Sequence, residues 1–459
     1  MAGIGFTLRN LTRQDNVVGI VQGYLYATFV TSGPWLFTIL ALASLNLVAQ
    51  RFVDHGALSV FRLVVIYNFS FSLILSAPVT IIVTRYLADS IFGRDTRDAP
   101  GLFVGGLTLT LLVQAPLVVW FYGFFVDLAM PERLAAMWNY CLVTSLWMAA
   151  VFLTALKDYR TISVAFLTGM GVSFASATLL VPHFGVTGLL MGFNGGLAII
   201  LFVLIARILA EYPGPVRRPF AFLPYFREYW MLAVTAFLAN TALWVDKWIM
   251  WFAPEGEVLA GGMVFYPHYD SAMFMAYTSI LPALAMFVMH VETAFFTAYQ
   301  RYFRDIDNHC TMERIRRNHR ELVATLVGGL RNIMALQGAV AITLVLLSPR
   351  IFEALGLNFT MIHIYRFGVL GSFFQVTLLS LSTVLAYFDL RTSNLVLHSF
   401  YLSASITLTL VTLSMGFPYY GLGYLLAGGF GLVAGYLILF ARLADLPYLT
   451  FVGNNPSVR

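Results

Sequence analysis

Charge is what this sequence has least of. Only 11% of its 459 residues are Asp, Glu, Lys or Arg, against 59% hydrophobic, and a mean hydropathy of +0.81 excludes a soluble globule. Cysteine is almost absent: Cys141 falls in an apolar stretch and Cys310 in a basic one, so no disulfide framework can be read. No Gly-Lys-Ser/Thr phosphate loop occurs, and no outer loop is long enough for a catalytic domain. No nucleophile, base and orienting group fall into a recognisable pattern. An intrinsic enzyme, or a pump with its own ATPase, is therefore not expected, and no cofactor is implied. His290-Val291-Glu292 is not read as a metal site, because residues two apart on a helix point to different faces and no third ligand lies at suitable spacing.

Apolar runs of about 20 residues, the length that crosses a hydrocarbon core of ~30 Å, recur along the whole chain, so a single cleaved leader is not expected. The fold class expected is an all-α polytopic membrane protein with twelve transmembrane helices: 17–49, 60–88, 101–127, 135–156, 159–181 and 184–209, then 229–252, 268–299, 322–347, 361–388, 392–415 and 418–441. Residues 1–16 carry Ile4, Leu8 and Leu11 on one helical face and Arg9 and Arg13 on another, fitting an amphipathic segment at the cytoplasmic surface or a plain basic leader. The domains expected are a first six-helix bundle over 17–210, a cytoplasmic linker over 211–228, a second bundle over 229–445 and a tail over 446–459. Pro213, Gly214, Pro215 and Pro219 break the linker, and Arg217, Arg218 and Arg227 hold it in water.

A cytoplasmic N-terminus puts most of the 27 Lys and Arg inside, leaving Arg51, Arg62, Arg133, Arg350 and Arg366 outside, and an even number of spans returns the C-terminus to the cytoplasm. The net charge of +5 is thereby explained by topology, with no nucleic acid partner. Pro182-His183-Phe184-Gly185, followed by Leu189, Leu190 and Gly192, recurs as Pro418-Tyr419-Tyr420-Gly421, followed by Leu425, Leu426 and Gly428. The repeat falls at the sixth helix of each half, a construction that transporters use.

Candidate functional residues are the polar exceptions. Asp246 and Lys247, with Asn240, Trp244 and Trp248, sit in the seventh helix, and charge within a bilayer costs ~2.5–3.5 kcal/mol, so such groups face protein or a wet cavity. Counting from Tyr229 places Asn240 near the midplane and Lys247 close to the outer surface. There Lys247 either snorkels within an aromatic belt of Trp244, Trp248 and Trp251, or lines the outer part of a substrate pathway. Glu292 and Arg331 lie at similar depth and form either a structural ion pair or part of the pathway, while Arg366 either snorkels or faces Asp246. Ser32-Gly33-Pro34 and Pro282 break helices, as packing kinks or as hinges. The basic stretch 301–321, with Arg301, Arg304, Arg314, Arg316, Arg317 and Arg320, is expected as an amphipathic cytoplasmic helix touching anionic lipid or docking a partner.

Met1-Ala2-Gly3-Ile4-Gly5-Phe6-x-Leu8-Arg9, Ser32-Gly33-Pro34-Trp35 and Trp244-Val245-Asp246-Lys247-Trp248, together with the length and helix plan, resemble the bacterial Pel exopolysaccharide inner-membrane transporter family. Thr7 and Asn10 stand where that family is expected to carry an acidic and a basic residue. The resemblance implies a branch of the flippase superfamily that includes multidrug and lipid-linked-oligosaccharide transporters, with two bundles around a cavity opening alternately to each side. It further implies export of a nascent aminosugar polymer for a biofilm matrix. The polymer would come from a cytoplasmic glycosyltransferase, with membrane subunits of the same secretion system as partners. An ion-coupled multidrug or lipid-linked oligosaccharide exporter is the alternative within transport. Such drug exporters commonly use a buried carboxylate in the first bundle, whereas the first helix offers Thr28, Thr31, Ser32, Thr38, Ser44 and Asn46. A membrane glycosyltransferase or acyltransferase is the alternative of another class.

Overall fold

The computed structural model describes residues 37–156, 158–259, 262–448 and 450–451. The segment 1–16, the hinge residues Ser32, Gly33 and Pro34, and the last residues of the tail lie outside the described residues.

Among the described residues, nine helices are long and apolar enough to cross a membrane, and Phe37–Ala49 (α1) adds a shorter apolar one. Their surfaces are inverted relative to a soluble protein. Leu112, Trp120, Leu179, Phe202 and Leu346 are exposed, whereas Asn68, Asn139, Asn194 and Gln337 are buried. Apolar side chains outside and satisfied polar groups inside are what a hydrocarbon solvent selects, and the chain is a multi-pass membrane protein.

The helices follow as His55–Phe92 (α2), Ala99–Trp120 (α3), continued by a π turn at Phe121–Phe125, Met130–Leu156 (α4) and Tyr159–Glu211 (α5). Then come Leu223–Glu228 (α6), Trp230–Met250 (α7), a hairpin of Glu257–Leu259 (β1) and Met263–Phe265 (β2), and Pro267–Thr278 (α8). Leu281–His290 (α9), a π turn at Val291–Phe295, Phe296–Asp307 (α10), Met312–Ala354 (α11), Ile362–Tyr387 (α12), Arg391–Met415 (α13) and Leu422–Ala444 (α14) complete the order, before a single turn at Leu446–Tyr448.

Twelve spans were expected; the described residues show nine, for identifiable reasons. The fifth and sixth expected helices join as α5, broken only at Gly185, where φ 54° and ψ −131° leave the helical region. The helix α7, which carries Asn240, Asp246 and Lys247, is not among the nine, and of the first expected span only Phe37–Ala49 is described. Gly421, the counterpart of Gly185 in the sequence repeat, also has positive φ, at 90°, and caps the start of α14. Glycine alone enters such conformations cheaply, so the repeated Pro-aromatic-aromatic-Gly marks a change of chain direction in both places.

Two compact units divide the chain, with α7 giving its residues up to Trp244 to one and Val245–Met250 to the other. In the first unit, which also holds Trp251–Tyr266, α2, α4 and α5 share a chain of amides. Asn68 Nδ2 donates to Asn139 Oδ1 (2.9 Å), Asn139 Nδ2 to Asn194 Oδ1 (2.7 Å) and Asn194 Nδ2 to the Ala135 carbonyl (2.8 Å), while the Tyr122 phenol donates to Asn68 Oδ1 (2.6 Å). Gln114 donates to Ser76 and accepts from Tyr140 nearby. The β1–β2 hairpin is clasped to α2: Tyr67 Oη donates to the Val264 carbonyl (2.8 Å) and accepts from the Val264 N–H (3.1 Å). Linker residues Arg217 and Arg218 are exposed, and the linker backbone lies on α3. A Cβ at Gly101 would stand 1.7 Å from the Arg217 carbonyl oxygen, and one at Gly105 1.6 Å from that of Pro219.

In the second unit, α12 packs against α8, α11 and α14, and α13 against α14. The eighth expected helix is not continuous. Ser279 and Ile280 interrupt it, and Pro282 sits in the first turn of α9, where its missing N–H costs nothing. The Ser279 carbonyl released by the break accepts from buried Gln337 of α11 at 3.1 Å. The stretch 301–321 is likewise not one loop helix: it comprises the end of α10, a turn at 308–311 and the start of α11.

Candidate functional site

Asp246 and Lys247 lie in the part of α7 that belongs to the second unit. Sequence neighbours on a helix diverge by ~100°, but the flexible lysine stem folds back. Lys247 Nζ stands 2.9 Å from Asp246 Oδ1 and 3.1 Å from Oδ2. Asp246 is wholly buried and Lys247 only 7% exposed. Tyrosines complete the surroundings, Tyr269 and Tyr424 buried and Tyr277 half-buried. Tyr269 Oη donates to Asp246 Oδ2 (3.1 Å), and the ammonium donates to Tyr277 Oη (3.0 Å) while lying 4.4 Å from the centre of that ring. Tyr424 presents its ring 5.8 Å from the ammonium, meets Tyr277 edge to face and donates to Gln375 Oε1. Burying two charges costs several kcal/mol each unless they pair and their remaining valences are filled. The phenols fill them here, and the cluster is neutral overall.

Lys247 therefore does not snorkel. Counting residues along the helix axis gives depth but not direction around it, and the direction here is into protein, towards partners from α8 and α14. Trp251 is not part of an interfacial belt either. It is 3% exposed and stacks on Tyr67 with ring centres 4.8 Å apart and planes at 11°. Trp244 and Trp248 are half-buried, and Asn240 donates to its own helix at Ala236 (2.8 Å).

The expected charge partnerships in the second half are not formed. Arg331 is exposed and makes no ion pair with Glu292 among the described residues; Glu292 lies on the π turn and is half-buried. Arg366 does not reach Asp246 and donates instead to Ser348 Oγ at 2.8 Å. Equal depth was the sole basis for these pairings, and depth says nothing about which helix faces which.

The arginines of 301–321 divide into two sets. Arg314 grips buried Asp305 with Nε and Nη2 at 2.8 and 3.1 Å, helped by Asn318 at 2.5 Å, and Arg301 pairs with Glu321 at 3.0 Å. Arg304, Arg316, Arg317 and Arg320 are exposed. Among the described residues, no group of three or more His, Cys, Asp or Glu side chains could hold a metal ion.

Sequence reasoning missed Tyr269, Tyr277, Tyr424 and Gln375, and the whole amide chain of the first unit. With 23 tyrosines in the chain, none is conspicuous. Amides inside apolar runs, such as Gln114, Gln337 and Gln375, are a usable signal, because a buried amide must find a partner.

Solved transporters share this fold. An outward-facing multidrug resistance MATE family transporter of the MOP superfamily superposes with a TM-score of 0.65 at 15% identity, over 92% of this chain and 96% of that one. A MOP superfamily transporter from Pyrococcus furiosus, whose binding pocket is described as having reversed polarity, gives 0.62 at 13% over the same shares. A MATE protein in its bent conformation gives 0.63 at 14%, over 93% and 96%. The fold is that of the MATE-like transporters of the MOP superfamily. No curated protein matches the sequence. Residues 1–451 match the family PelG, described as "Putative exopolysaccharide Exporter (EPS-E)", and the chain belongs to that family of exopolysaccharide exporters.

Proposed function

We propose that this chain exports a nascent Pel-type aminosugar polymer across the bacterial inner membrane for a biofilm matrix. In this reading it crosses the membrane twelve times, as two repeat-related six-helix bundles with both termini in the cytoplasm. The polymer passes between them by alternating access or along a continuous path. It is received from a cytoplasmic glycosyltransferase, with membrane subunits of the same secretion system as neighbours.

The observation that carries the reading is the buried Asp246–Lys247 pair among tyrosines, in a chain of this family and fold. Phenol faces and hydroxyls match sugar rings, and the buried carboxylate and ammonium hold Tyr269 and Tyr277 in place without adding net charge, as an uncharged sugar substrate requires. Among the described residues, Asp246 and Asp305 are the buried carboxylates, and both belong to the second unit. The described part of the first unit thus lacks the buried acid that a cation-coupled drug exporter of the kind considered above would use. Asn240, Trp244, Trp248, Glu292, Arg331 and Arg366 remain pathway candidates of the same proposal, Pro282 marks its hinge, and the arginine face of 301–321 meets partner or anionic lipid.

The test is a strain deleted for this chain, with the complemented strain as the control that regains polymer. Loss of surface polysaccharide with unchanged resistance to cationic drugs is the expected result. Intact polymer with raised drug sensitivity would establish the multidrug alternative, and sugar or acyl transfer by the purified chain would establish the enzymatic one.

A further inference from the structure

Arg320 and Arg331 are eleven residues apart on α11, three turns and ~20°, so they mark one face of that helix about 16 Å apart along its axis. Between them the same face carries Ala324, Val327 and Gly328, which are small or apolar. Together with Phe440, Leu443 and Ala444 of α14 these residues line a groove of ≈ 610 Å³ within the second unit. Every formal charge in its lining is positive. Glu321, next to Arg320, is engaged by Arg301, and His319 at the mouth is held by the Leu443 carbonyl at 2.9 Å. Neither Arg320 nor Arg331 has an acidic partner among the described residues.

The groove thus combines two cations with an apolar floor on the flank of a membrane helix. Both side chains lean alike towards the helix N-terminus, so their axial spacing is kept, but both line this one cavity and a single elongated occupant can reach both. A soluble anion would satisfy the arginines and leave the floor bare, whereas an apolar chain would do the reverse. One molecule that does both is a phospholipid with an anionic head: its phosphate and head group meet the two guanidiniums, and an acyl chain lies over Ala324, Val327 and Phe440. We propose that this groove is a specific binding site for an anionic phospholipid. The site joins two residues that the sequence had placed separately, Arg331 in an ion pair or a substrate pathway and Arg320 on a surface touching anionic lipid or a partner, and narrows that surface contact to one specific groove.

A direct filler of the groove is available. A Cβ built at Gly328, in the groove lining, meets nothing within 4 Å, so the Gly328→Leu side chain starts in open space and extends into the groove. The purified full chain in detergent would be incubated with phosphatidylglycerol or phosphatidylcholine of matched chains, and bound lipid read by native mass spectrometry. Wild type should retain phosphatidylglycerol selectively. Arg320→Gln/Arg331→Gln and Gly328→Leu should each lower retention at least about tenfold, the loss expected from removing charge-assisted hydrogen bonds, while Arg320→Lys/Arg331→Lys keeps most of it. Equal retention of the two lipids, undiminished phosphatidylglycerol on the filled or neutralised groove, or displacement by millimolar inorganic phosphate alone would overturn the proposal. Size-exclusion profiles matching wild type establish that each variant is folded. Lipid retention is read on the purified chain, so its failure is distinguishable from a failure of polymer export.

Discussion

Removing either member of the Asp246–Lys247 pair should be far more damaging than removing both. Asp246→Asn leaves an ammonium 7% exposed, facing Tyr277 and a neutral amide where it had two carboxylate oxygens within 3.1 Å. Lys247→Met leaves a wholly buried carboxylate beside the Tyr269 phenol. Breaking a buried pair in this way costs ~3–5 kcal/mol, so independent losses would sum to about 6–10 kcal/mol. The double variant Asp246→Asn/Lys247→Met leaves no unpaired charge, and it is expected to lose no more than about 2 kcal/mol, giving a coupling of at least ~4 kcal/mol. Denaturant unfolding of the four proteins in one detergent, followed by tryptophan fluorescence, measures the cycle. A double variant as unstable as the sum of the singles would refute the pairing argument. The same double variant then separates structure from transport: normal abundance with polymer export abolished assigns the pair to the pathway, and normal export leaves it a packing device.

Asn139→Leu should destabilise the first unit by about 1–3 kcal/mol, because it strands Asn194 Oδ1 in the interior and leaves Asn68 Nδ2 with the Ala136 carbonyl alone, and a shift in the unfolding midpoint reads it. Gln337→Leu removes the donor to the Ser279 carbonyl and should cost about 1–3 kcal/mol, with faster amide exchange confined to the turn around Ser279 and Ile280; unchanged exchange there would show that the break does not depend on Gln337.

The elements were legible because apolar runs of spanning length and Pro-Gly breaks are written in one dimension. The repeat at Pro182–Gly185 and Pro418–Gly421 even announced where the chain turns by positive φ. Asp246 and Lys247 were legible as exceptions in a sequence with so little charge. Their partners were not, since whether a side chain points at a neighbouring helix, at a groove or at lipid depends on rotation about the axis. Arg331 shows the difficulty: matched in depth to Glu292, it lines a groove with Arg320 instead. Uncharged polar groups such as Asn68 and Asn139 were passed over because an amide in an apolar run is cheap to overlook and expensive to bury alone.

The buried Asp305, clamped by Arg314 and Asn318, has a consequence for recognition. It locks the turn between α10 and α11, so the exposed Arg304, Arg316 and Arg317 stand on a scaffold whose backbone is already ordered. An acidic surface meeting them would forfeit little chain entropy on arrival, and the face acts as a preformed template.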